Sequence, residues 1–146
     1  MKKVIFMVGV PGSGKSTYAK KKFKKAVILS SDEIRKEIFN EETNESNNAL
    51  VFNTLYNRAK EIIKTKDIVI DATSSNKHDR ALGLQHFKDM KVKRIAVVID
   101  TPLEECLKRN RQRSRVVDED VIKQYFINFE MPSKEEGFDK IKIVKN

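Results

Sequence analysis

The chain has 146 residues, a length that suits one compact domain rather than two. Hydrophobic residues make up 39% and charged residues 35%, yet the apolar residues gather in strand-like blocks, which argues against disorder, and no apolar run approaches the roughly 20 residues of a membrane span. Thirty lysines and arginines against 21 acids leave +9, a surplus that fits a polyanionic partner, with nucleic acid ahead of a membrane surface, or a lysine-rich chain that merely stays soluble.

The start, Met1-Lys2-Lys3 followed by the short run Val4–Val8, is too brief for a signal peptide. The single cysteine, Cys106, cannot close an internal disulfide, and no Cys/His cluster has zinc spacing. A cytosolic setting is expected.

Taken in chain order, five β-branched runs alternate with helix-like stretches. The runs are Val4–Val8, Ala26–Leu29, Ile68–Ile70, Ile95–Ile99 and Ile141–Val144, short and nearly continuous as in strands buried on both faces. Helices are predicted over Lys15–Lys24, Asp32–Phe39, Asn48–Lys64, Asp79–Met90, Pro102–Arg111 and Val121–Phe129. In the third of these, Val51, Leu55, Arg58/Ala59 and Ile62 recur at helical spacing, and Pro102 suits the first turn of the fifth. Asn40–Asn48 reads as a surface loop. Strand–helix alternation implies an α/β fold: a central five-stranded parallel sheet with right-handed crossovers and helices on its flanks, forming one domain over 1–146.

Gly9-Val10-Pro11-Gly12-Ser13-Gly14-Lys15-Ser16-Thr17 satisfies the phosphate-loop pattern G-x-x-x-x-G-K-[ST], directly after a predicted strand and opening a predicted helix. Such a loop turns backbone N–H groups onto phosphate oxygens where a side chain would obstruct them, and the helix N-terminus adds unpaired donors. Gly12, Ser13, Gly14, Lys15, Ser16 and Thr17 are therefore assigned to a nucleoside triphosphate such as ATP. Lys15 is expected to reach the β- and γ-phosphates and the Ser16 hydroxyl to ligate Mg²⁺.

The second strand runs into Ser30-Ser31-Asp32-Glu33-Ile34-Arg35. Crevices in parallel sheets open at the carboxyl ends of strands, so Asp32 is expected beside the phosphate loop, where a carboxylate could accept a proton from an attacking hydroxyl. Taken alone, Asp32 would be an ordinary helix cap. Arg35, one turn on, would share its face and suit an anionic acceptor. Asp71 ends the third strand and could hold Mg²⁺ through water, orient Arg35, contact the acceptor, or simply cap the strand. Asp100 reads as a helix-start residue. Lys108-Arg109-Asn110-Arg111-Gln112-Arg113-Ser114-Arg115 reads as a lid, with Arg109 and Arg113 on one helix face and Val116-Val117-Asp118 as its far hinge. Tyr125, Phe126 and Phe129 are expected in the core, His78 and His86 at the surface or satisfied, Cys106 buried, and Lys20–Lys22, Lys24 and Lys25 as solvated helix-end charge. Gly137 is expected to turn the chain and Phe138 to pack against the domain before the last strand.

In order and spacing over nearly the whole chain, Gly-Val-Pro-Gly-Ser-Gly-Lys-Ser-Thr at 9–17, Ser-x-Asp-x-x-Arg at 30–35, Val-Ile-Asp-Ala-Thr at 69–73 and Lys-Arg-Asn-x-x-Arg at 108–113 resemble the phage- and bacterial-type polynucleotide 5′-hydroxyl kinase group of P-loop phosphotransferases. The resemblance implies ATP- and Mg²⁺-dependent phosphorylation of a 5′-hydroxyl end on RNA or DNA. By the family pattern Asp32 is the general base, and Arg35 holds the acceptor's 3′-side phosphate with support from Asp71. Arg109 and Arg113 would lie on the donor phosphates. Ser74 stands where many relatives have Asn. No Asp-x-Asp-Gly-Thr or Lys-x-Asp-Gly occurs, so a 3′-phosphatase or ligase would be a separate partner. A kinase of small molecules or nucleosides shares the same elements, and a nucleotide-dependent switch shares the loop alone.

Overall fold

The structure, a computed structural model, describes residues 1–39, 48–114 and 116–146. Most of the loop expected at Asn40–Asn48, and Arg115 of the lid segment, lie outside the described residues. The five strands are β1 (Lys2–Val8), β2 (Val27–Ser30), β3 (Ile68–Asp71), β4 (Val92–Asp100) and β5 (Lys140–Lys145), all parallel in the order β2-β3-β1-β4-β5. The helices are α1 (Lys15–Lys22), α2 (Ser31–Phe39), α3 (Asn48–Ile62), α4 (Lys77–Gln85), α5 (Leu103–Arg111) and α6 (Glu119–Ile127), with a 3₁₀ turn at Lys134–Glu136. No helix among the described residues is long and apolar enough to cross a membrane.

The pleat sorts the core into two layers. Val4, Phe6, Val8, Ile68, Ile70, Ala96 and Val98 face the first, where they meet Leu55, Ala59, Leu84, Phe87 and Phe138. Ile5, Met7, Val69, Val97 and Ile99 face the second, where they meet Ala19 and the rings of Tyr18 and Phe23. Crossover handedness dictates this inequality. In the observed order only β1→β2 runs in one direction; β2→β3, β3→β4 and β4→β5 all run in the other. Right-handed connections therefore place α1 on one face and the later connections on the opposite one.

Several boundaries differ from expectation for local reasons. The predicted helix Asp79–Met90 starts at Lys77, capped by the Asn76 side chain accepting from the Asp79 N–H, and stops at Gln85. Its expected last turn is instead a looser one, and the Arg94 guanidinium gathers the carbonyls of Phe87, Met90 and Val92 there. Strand β4 starts three residues before the apolar run because Val92, Lys93 and Arg94 continue the pairing with Lys2, Lys3 and Val4. Asp100 does not start a helix; it ends β4 and pairs with Lys145 at 2.9 Å, while Pro102 takes the N-cap of α5. Phe126 is exposed rather than core, because α6 packs with Ile122, Tyr125 and Phe129, a stripe that leaves Phe126 to one side. The remaining packing expectations hold: Cys106 and Phe138 are buried, Gly137 turns the chain at φ 119°, His78 is exposed and His86 stacks on Tyr56 at 4.4 Å.

Candidate active site

The phosphate loop leaves β1 at Gly9, whose N–H donates to the Thr73 carbonyl beyond β3, 3.3 Å away. Gly12 and Gly14 sit at φ 85° and 97°, the left-handed region where a Cβ is strained. The backbone makes Gly12 stricter still, since a Cβ there would lie 2.6 Å from the Cys106 carbonyl oxygen; on Gly14 a Cβ would lie 2.7 Å from Arg109 Nη1, the movable end of a side chain. The loop is thus wedged against α5. Three donors converge on the Ser13 carbonyl: Thr101 Oγ1 at 2.7 Å, Arg109 Nη1 at 2.9 Å and Asn146 Nδ2 at 3.0 Å. That carbonyl is turned into protein, and the Ser13 N–H closes the loop's turn on the Val10 carbonyl at 3.1 Å. The buried Ser13 hydroxyl has no hydrogen-bond partner among the described residues.

Lys15 opens α1. Burial pushes its ammonium below the ordinary lysine value; Asp71 and then Asp32 oppose that shift, and Arg113 adds to it. Carboxylates from the end of β3 and the first turn of α2, and a cation from beyond α5, thus act on one ammonium. Ser16, next in the helix, donates its hydroxyl to Asp71 Oδ2 at 2.6 Å. A hydroxyl and a buried carboxylate are the hard oxygen donors Mg²⁺ takes, and phosphate oxygens and waters complete such a shell. Among the described residues no group of three or more His, Cys, Asp or Glu side chains could hold a metal, so the fit is to a substrate-assisted ion rather than a protein cage. Thr17 is exposed in the first turn.

Asp32 and Arg35 meet as one helical turn predicts, Nη1 to Oδ1 at 3.2 Å. Arg35 is buried, its Nη2 donates to Asn48 Oδ1 at 2.7 Å, and its Nε has no acceptor among the described residues. Asp32 is about half exposed on its side chain, open to a molecule arriving at this edge.

The lid segment departs from expectation. Helix α5 ends at Arg111 with Gln112 as its cap, and tight N–H bonds from Gln112 to Arg109 and from Arg113 to Asn110 turn the chain away. Arg109 and Arg113 are therefore not on one helix face: Arg109 lies on α5, bracing Ser13 and bonding Glu105 at 3.3 Å, while Arg113 follows the cap, half-buried and felt by Lys15. Its return is held by Asn110, fully buried, whose amide donates to Val117 O at 2.6 Å and accepts from Val117 N at 2.9 Å. Asp118 then caps α6.

Sequence reasoning missed Asn48, Thr101, Asn110, Asn146, and the pair Arg80–Glu136. Arg80 is fully buried; it donates to Glu136 at 2.8 Å and to the Ser74 carbonyl at 2.9 Å, fixing the turn where Ser74 adopts φ 47°. A signal existed for two of them. Asn110 continues the Leu103, Cys106, Leu107 stripe, and Arg80 the Leu84, Phe87 stripe, so each is a polar residue at an apolar position.

The AAA_33 family, described as an AAA domain, matches residues 4–132. The chain belongs to that family. It is 28% identical over 149 aligned positions to the L-seryl-tRNA(Sec) kinase of Methanococcus maripaludis, spanning 93% of this chain but 56% of the relative. A chain of the Pnkp1/Rnl/Hen1 RNA repair complex superposes with a TM-score of 0.78 at 23% identity, over 87% of this chain and 43% of that one. The Mycobacterium tuberculosis APS kinase CysC, solved with AMPPNP and APS, superposes at 0.66 and 20% identity, over 97% and 88% of the two chains. The chain thus spans about half the length of the curated relative it matches, and its fold is that of the P-loop kinases.

Proposed function

We propose that this domain transfers the γ-phosphate of ATP to the 5′-hydroxyl end of RNA or DNA. The observation that carries the reading is the Asp32–Arg35 pair beside Lys15: a half-exposed carboxylate next to a buried guanidinium whose Nε has no acceptor among the described residues. Arg35 receives a phosphate on the 3′ side of the terminal nucleotide, which places the 5′-hydroxyl against Asp32. Asp32 takes the hydroxyl proton as that oxygen bonds to the γ-phosphorus, the bond to the β–γ bridging oxygen breaks, and ADP leaves. Lys15 and Arg113 lie over the charge that migrates, while Arg109 serves the donor site by holding the loop. Ser16 and Asp71 would hold Mg²⁺, which would neutralise donor phosphate charge. The +9 charge supports a polyanionic acceptor. The likeness to a chain of an RNA repair complex supports end healing, with a ligase or 3′-phosphatase as separate partners in the cytoplasm.

The likeness to APS kinase supports a second reading, phosphorylation of a small molecule or nucleoside. One experiment separates the two: transfer of labelled γ-phosphate, with Mg²⁺, to short 5′-hydroxyl RNA and DNA strands beside the same strands already bearing a 5′-phosphate. Label on the 5′-hydroxyl strands alone is expected, with acceptor affinity falling steeply as salt rises. ATP turnover without label on either strand would sink the polynucleotide reading in favour of a small acceptor.

A further inference from the structure

The sheet face that carries α1 is incompletely covered, for the topological reason given above. Helix α1 has eight residues, about 12 Å of length, while five strands span about 19 Å across. It packs on β1 and β3, and the second core layer draws on no other helix among the described residues. Parallel sheets are otherwise found with both faces covered. What remains beside α1, towards β4 and β5 and at the amino ends of the strands, is an open groove of about 570 Å³. Its β1 residues, Lys3 and Ile5, stand about 20 and about 13 Å along the strand from Gly9, and it shares no lining residue with the proposed transfer site.

The chemistry of its lining is sharply divided. The floor is apolar, with Ile5, Phe23, Ile95 and Val97. Phe23 and Ile95 keep part of their surface exposed. Around it stand Lys3, Lys22, Lys24, Lys25, Lys140 and Lys142, against one carboxylate, Asp67, which already accepts from the Lys3 N–H at 2.9 Å. Lys142 also lies over the Tyr18 ring, 6.0 Å from its centre. Among the described residues no arginine, asparagine or glutamine lines the groove, and Phe23 is engaged edge-on with Tyr18. Nucleic acid would therefore find phosphate contacts but neither stacking platforms nor the forked and amide donors that read it, and the apolar floor would go unused.

We propose that this groove docks an acidic amphipathic helix of a partner protein. Its apolar stripe supplies the missing cover for β4 and β5, and carboxylates on either side of the stripe meet the lysines. This partner is distinct from the acceptor of the transfer site, and the surplus of lysine at the far end of the sheet is then a recognition feature rather than solvated charge alone.

The test uses the whole chain and an N-acetylated peptide of about 20 residues, with leucines at helical i, i+3, i+4, i+7 spacing and glutamates elsewhere. Saturable binding is expected, with amide NMR shifts confined to Phe23, Ile95 and Lys142 and their neighbours. Lys140→Glu/Lys142→Glu should weaken the peptide at least 10-fold. Lys24→Glu/Lys25→Glu, changing exposed residues outside the strands, should weaken it likewise without touching the edge strand, and wild-type peptide affinity in a folded Lys24→Glu/Lys25→Glu variant would overturn the proposal. Neither pair should change phosphoryl transfer. A scrambled peptide of identical composition binding equally well would overturn the proposal, as would no saturable binding. Short RNA shifting the same amides where the peptide does not would reassign the groove to nucleic acid, and a dimer in sedimentation that buries it would reassign it to a second copy.

Discussion

The phosphate loop and the lid segment deliver charge to the same place by opposite means. The loop is over-determined: three donors hold the Ser13 carbonyl, two glycines sit where only glycine fits, and Cys106 backs the turn. Its binding groups are in place before any phosphate arrives, which removes reorganisation from the transfer step. Beyond α5, by contrast, Arg113 follows the helix cap on a turn that Asn110 closes on Val117 and Arg111 closes on Glu119, with no hydrogen bond of that turn reaching the loop among the described residues. On the proposed reading a cation so placed attends the migrating phosphoryl group and sets nothing in advance, so the two arginines of this segment, alike in sequence, divide the work. Arg109 braces the loop at Ser13, 2.9 Å away, and Arg113 serves the transfer itself.

Removing Lys15 should break the comparison most heavily. Its ammonium is held below the ordinary lysine value by burial, a strain relieved when phosphate charge arrives. Lys15→Ala should lower kcat/KM by about 10³-fold or more and weaken ATP binding as well, measured by steady-state transfer and by calorimetry. Arg113→Ala should lower kcat by about 10²–10³-fold while ATP binding and the unfolding midpoint stay put. If ATP binding falls together with kcat in the Arg113 variant, the division between a preset loop and a following cation is wrong.

Much of this was legible from pattern. The Val/Ile runs of β1, β3 and β4 are buried because a parallel sheet needs apolar residues on both faces, whereas the run Ile141–Val144, expected to be buried alike, lies in the edge strand β5 and stays largely exposed. The glycine loop could be read because its backbone chemistry tolerates few alternatives. The Asp32–Arg35 contact follows from helical spacing alone. What was not legible depended on where a helix stops. Assigning Arg109 and Arg113 to one face required α5 to continue two residues further than it does, and nothing local in Arg-Gln-Arg announces the Gln112 cap. The braces Thr101 and Asn146 reach Ser13 from 88 and 133 residues away, separations no periodicity reveals. Phe126 shows the converse failure, since an aromatic at helical spacing faces solvent when the stripe beside it already fills the contact with α5.

Behind the loop stands a third brace, and it offers the smallest effect on turnover and the clearest pH signature. Gly9 donates to Thr73, and the following Ser74 is fixed by Arg80, itself held by Glu136. Burial would raise the Glu136 pKa, but hydrogen bonds from Arg80 and from the Ser133 backbone outweigh it, so the carboxyl titrates below the usual glutamate range. A carboxyl depressed in the folded state stabilises the fold above its unfolded value, near 4.5, and that contribution is lost as pH falls through the lower folded value. Glu136→Gln keeps the size of the side chain and removes the charge. It should cost about 1.5–3 kcal/mol at neutral pH, the range for hydrogen bonds to a charged group, and the gap from wild type should close as acid protonates Glu136. Denaturant unfolding of both chains from pH 7 to pH 3 checks this. A gap that stayed constant across the series would mean that the neutral side chain alone holds Arg80 in place, and that the buried ion pair adds nothing to the wall on which the phosphate loop leans.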